Sequence, residues 1–148
     1  MKINKMGSAS PQPIAEHEFT NKQEKQVVRF SSELLKTQDD QYRERLNSLL
    51  DEITKQGQKL GQVPTYSELK TYRELISKFV GEAVARMYVL QSQTGWDRHG
   101  RQKMYTTIRK IDQTLAELTE DVRHGQERQL SIMAKQDAIR GMLVDMYI

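Results

Sequence analysis

The stretch "IDQTLAELTEDVRHGQERQLSIMAKQDAIRGMLV", residues 111–144, decides how many helices this chain has. Ile111, Leu115, Leu118 and Val122 alternate by fours and threes, continuing a series opened by Met104 and Ile108. That is the spacing of an apolar seam along a helix. In the same register the seam then meets Gly125, Gln129, Ile132, Gln136, Ile139, Leu143 and Met146. The unbroken register favours one rod from Arg101 onward, about 70 Å long at the usual helical rise. The weak seam positions at Gly125, Gln129 and Gln136 favour a break, with a fourth helix from about Gln126 to Tyr147. A single rod would leave Ile132, Ile139 and Leu143 exposed unless the chain forms a homodimer. The expected fold is all-α, a mostly antiparallel bundle of four helices. Three helices with a very long C-terminal one is the alternative.

Upstream, residues 66–90 place Leu69, Tyr72, Ile76, Phe79 or Val80, Ala83, Met87 and Leu90 on one helical face. Thr65 and Glu68 stand in front of it as a capping box, T-x-x-E, which offers partners to the first free N–H groups. Earlier still, Tyr42, Leu46, Leu49, Leu50 and Ile53 mark a helix expected to open near Thr37 and to close at Gly57. "GQKLGQVP", residues 57–64, then reads as a loop. The bundle domain is thus residues 37–148. Residues 1–36 are expected to be a flexible tail, partly docked. Its first part is polar and Pro-bearing, whereas residues 23–36 contain Val27, Val28, Phe30, Leu34 and Leu35 and either dock or stay loose.

Composition narrows the function classes. The chain has 148 residues, enough for one domain with a real core. It has no Cys, so disulfides, thiolate metal sites and a Cys nucleophile are excluded. No apolar run reaches the roughly 20 residues of a membrane span, and the N-terminus lacks the apolar centre of a secretory signal. No membrane association and a cytoplasmic location are expected. The net charge of +3 is unevenly placed. Residues 94–110 carry five basic side chains against Asp97, and residues 111–148 carry seven acids against four bases.

That basic block opens with "TGWDRHGRQK", residues 94–103. Asp97 is placed to cap the third helix, with Trp96 before it and Arg101 within stacking reach of the indole. This is the reading of a structured joint. The functional alternative uses Trp96, Arg98, Arg101 and Lys103 to bind a partner or an anion, since a helix N-terminus favours negative charge and an indole can stack on a base. Against it, positions 101, 103, 109 and 110 do not share one helical face.

"GWDRHGR", "IRKIDQTLAELTEDV" and "KQDAIRGMLVDMYI", with the opening "MKINK" and "SELKTYRELISKFVGEAV", resemble the YaaR-like family of small bacterial proteins, a domain of unknown function. The resemblance covers most of residues 30–148. It implies an all-helical cytosolic bacterial protein and carries no established reaction, cofactor or catalytic residue.

No catalytic signature emerges from the residues themselves. His124 follows Glu120 by four, but two ligands do not make a zinc site. "GQKLG" lacks the ending of a phosphate-binding loop, and no nucleophile elbow occurs. The expectation is therefore a non-enzymatic protein-protein interaction or regulatory module with no cofactor or metal and an unidentified protein partner. Nucleic-acid or phosphorylated-ligand binding through residues 96–110 is the alternative.

Overall fold

The computed structural model describes the backbone of residues 14–94 and 98–147, and the side chains of residues 22–90, 92 and 98–146. Helix α1 spans Ile14–Gln62, α2 Tyr66–Thr94, α3 Arg98–His124 and α4 Gln129–Tyr147, with a 3-10 turn at Gly125–Arg128 between the last two. No strand occurs among the described residues. Contacts divide the chain into two units, Met1–Gln41 and Tyr42–Ile148.

Both sequence readings of the C-terminal half capture part of what is found. From Arg98 to Tyr147 every residue is in an α- or 3-10 helix, so the described residues form three continuous helical stretches and the third is very long. The stretch is not straight. Gly125 takes φ +74, the left-handed conformation that glycine adopts without steric cost. Asp121 accepts hydrogen bonds from Ser131 at 2.6 Å and from Lys135. In a straight helix residues 121 and 135 would lie about 21 Å apart along the axis, beyond any side chain's reach. The chain therefore folds back at Gly125, and α4 packs antiparallel to α3.

Residues 42–62 of α1 complete the bundle. Gln56 Nε2 donates to Glu68 O at 3.1 Å near one end of the α1–α2 pair, and the Arg86 guanidinium sits 5.6 Å from the Tyr42 ring centroid near the other. Gln129 Nε2 donates to Gly61 O at 3.0 Å, while Gly57 faces Gln136. In each pair the residue numbers run in opposite directions, so the unit is an up-down-up-down bundle. Its core joins Leu46, Ile53, Leu60, Tyr72, Phe79, Ile111, Leu118, Ile132, Ile139 and Leu143, each at most 2% exposed. Burying each aliphatic side chain contributes roughly 1.5–3 kcal/mol before entropy is counted.

Two expected helix ends lie elsewhere. Thr37 caps nothing: its Oγ1 donates to Glu33 O at 2.9 Å inside α1, which opens at Ile14. Gly57 does not end α1, and the expected loop from residue 57 shortens to Val63–Thr65. The reason is tertiary. Leu60 is fully buried, so the last turns of α1 gain more from packing than glycine costs in a helix.

Candidate functional site

Of the joint between α2 and α3, Trp96 and the expected cap Asp97 lie outside the described residues. Helix α3 opens at Arg98. Arg98, Arg101, Tyr105 and Arg109 then recur at spacings of three and four and share one face, whereas Lys103 and Lys110 point elsewhere. All six side chains are exposed, and Tyr105 is 70% exposed. None of the five cations forms an ion pair with a described residue. Arg98, Arg101, Gln102, Tyr105 and Thr106 line a shallow hollow. Such a surface can hold an anion by charge and a flat group on the phenol, but no buried group holds either in one pose.

At the other end of the bundle lies a groove outside the expected site residues. It has a volume of about 370 Å³ and lies between α1, α2 and α4, with Gly57, Gly61, Tyr72, Gln136, Asp137 and Arg140 among its walls. A Cβ on Gly57 would stand 3.2 Å from Gln136 Oε1 and 3.4 Å from the Tyr72 ring, so glycine there makes room for α4. Burial, with the Asp137 charge nearby, pushes the Tyr72 hydroxyl far above its ordinary value and keeps it neutral. Gln136 Nε2 is buried without a hydrogen-bond partner. The one signal in the sequence is the G-x-x-x-G spacing of Gly57 and Gly61, which suits a loop as well as a close helix contact.

The remaining polar features are structural. Thr65 Oγ1 accepts from the Glu68 N–H at 3.4 Å, but the Glu68 carboxylate turns to Gln56 instead of completing the box. Burial pushes the Asp121 carboxyl up. Hydrogen bonds from Lys135 and Ser131 and the charges of Lys135 and Arg128 outweigh this and hold it below its ordinary value. Glu120 lies 4.0 Å from Arg123, a solvent-exposed pair worth little. Among the described residues no group of three or more His, Cys, Asp and Glu could hold a metal ion. No helix there is long and apolar enough to cross a membrane.

The first unit has a different surface. Residues 22–41 are helical, and every side chain is exposed. Val27 is 66% exposed, Val28 64%, Phe30 69%, Leu34 50% and Leu35 41%. At about 100° per residue these five fall on one side of the helix. Residues 23–36 are thus helical, with this apolar face exposed.

Comparison with known proteins agrees with this picture. The sequence model of a family described as "Protein of unknown function (DUF327)" matches residues 3–147. An uncharacterised protein of Bacillus subtilis, YaaR, is 24% identical over 104 residues, covering 70% of this chain and 71% of that protein. The crystal structure of an uncharacterised Bacillus halodurans protein, BH1478, superposes with a TM-score of 0.68 at 32% identity, covering 79% of this chain and 97% of that one. A designed granulopoietic protein, Moevan, reaches the same TM-score at 24% identity, covering 74% of this chain and 94% of that one, and shares the fold alone.

Proposed function

The chain belongs to the DUF327 family of proteins of unknown function, and on that footing we propose that it is a non-enzymatic protein-protein interaction module of the bacterial cytosol. One observation carries this reading: Val27, Val28, Phe30, Leu34 and Leu35 share one exposed helical face. Together they present on the order of 500 Å² of largely apolar surface, within the range of the largest patch on a typical monomer, where such patches are often functional. The bundle unit supports the non-enzymatic part. The shifted ionisation of two of its described groups, Tyr72 and Asp121, is explained by core burial and by the α3–α4 clamp. The test is retention from bacterial lysate by the immobilised chain. One protein in stoichiometric amount is expected on the native chain and not on Phe30→Glu/Leu34→Glu at equal helix content. Equal retention by both chains would reject the reading.

A second reading has its own observation. Arg98, Arg101, Tyr105 and Arg109 form an exposed cationic face with an aromatic set into it, the combination that suits single-stranded nucleic acid or a phosphorylated ligand. It predicts retention of single-stranded RNA at low salt with release as salt rises. No retention at low salt removes it.

A further inference from the structure

The exposed face of residues 22–41 has a layout that selects its partner. Glu24, Ser31 and Gln38 are spaced by sevens and run along its midline. Val27, Phe30 and Leu34 flank the midline on one side, and Val28 and Leu35 on the other. The hydroxyls of Ser31 and Ser32 donate within their own helix, to Val28 O at 3.0 Å and Arg29 O at 2.9 Å. Covering them leaves no donor stranded.

We infer that this face pairs antiparallel with the same face of a second copy of the chain, the two helices crossing at Ser31. This deepens the reading above, on which it rests, by naming the partner. In that register Val27 and Val28 of one copy lie across from Leu34 and Leu35 of the other. The small Ser31 leaves room for the other copy's Phe30. Glu24 meets Gln38, an acceptor facing a donor. Parallel pairing would instead set Glu24 against Glu24. The longer-range charges agree. Lys22, Lys25 and Arg29 precede the midpoint, and Glu33, Asp39 and Asp40 follow it, with Glu24 and Lys36 the exceptions. Antiparallel pairing lays each basic end beside the other copy's acidic end, and it also opposes the two helix dipoles. Two such faces remove about 1,000 Å² from water, at the threshold of a specific interface. The expected dimer is therefore reversible and dilutes to monomer.

The experiment uses the full-length chain in sedimentation equilibrium over a wide concentration range. A concentration-dependent doubling of mass is expected, and Leu34→Asp should raise the dissociation constant roughly tenfold or more. The circular dichroism of that variant should match the native chain. Orientation is read by disulfide formation, which needs Cα atoms within about 7 Å. The chain has no Cys of its own. Glu24→Cys mixed with Gln38→Cys should cross-link, and neither alone should. Cross-linking of each variant with itself shows parallel pairing and overturns the inference. A native chain that stays monomeric throughout overturns it too, even when it captures a different protein or a lipid vesicle through the same face. In the first of those cases the interaction reading stands and only the second copy is refuted.

Discussion

Gly57 and Gly125 are the same residue put to opposite uses. At Gly57 the backbone is ordinary helix and space is short, since a Cβ would meet Gln136 and Tyr72. At Gly125 space is free, with nothing within 4 Å of where a Cβ would stand, but the backbone is left-handed. One glycine lets two helices approach, and the other lets one helical stretch turn back. A glycine in a helical pattern therefore has two physical meanings, and only the surroundings tell them apart.

Substitutions can break or sharpen this contrast. The largest effect is expected at the clamp that accompanies the Gly125 turn. Lys135→Ala leaves the Asp121 carboxylate buried with Ser131 as its remaining hydrogen-bond partner. It should cost roughly 2–3 kcal/mol, less than a fully buried pair because Lys135 is partly exposed. A urea melt measures it, and a loss under about 0.5 kcal/mol would show that the clamp does not hold the hairpin.

The same clamp has a pH signature. The Asp121 carboxyl is depressed in the folded chain, so its stabilisation is fully present above the ordinary carboxylate value and is lost as pH falls through the lower folded value. Melts across that acid range should lose stability more steeply in the native chain than in Asp121→Asn.

Next comes Gly57→Leu, which forces bulk between α1 and α4 and should cost about 1–3 kcal/mol through overpacking. Gly57→Ala should be nearly neutral, because Gln136 can swing aside and alanine favours helix. Gly125→Ala should cost about 1 kcal/mol from backbone strain alone, and Gly125→Asn less. If Gly57→Leu proves harmless in a urea melt while Gly125→Ala is severe, the spatial account of Gly57 is wrong. The smallest effect belongs to Thr65→Ala, about 0.5 kcal/mol, since its cap bond is long and exposed.

The folding pattern is legible in the sequence wherever burial and periodicity coincide. Leu46, Leu49 and Ile53, then Leu69, Tyr72 and Ile76, then Ile111, Leu115, Leu118 and Val122 fall on inward-facing positions and are buried. Ile132, Ile139 and Leu143 also fall on the seam, and their burial at 0% follows from the turn at Gly125. The groove beside Gly57 is not legible. Its walls come from three helices, and no local spacing announces that Gln136 and Tyr72 will meet a glycine from α1. The polar clamp is equally hidden, because Asp121 and Lys135 meet only once the chain has reversed.

The residue pattern by itself determined that this protein is helical and which side chains face inward, because a repeat of three and four admits one buried stripe per helix. Only the tertiary structure decided where the helices stop. Glycine weakens a helix by about 1 kcal/mol, an amount that packing around Leu60 outweighs at Gly57 and Gly61, and that the left-handed backbone and the Asp121–Lys135 contact reinforce at Gly125.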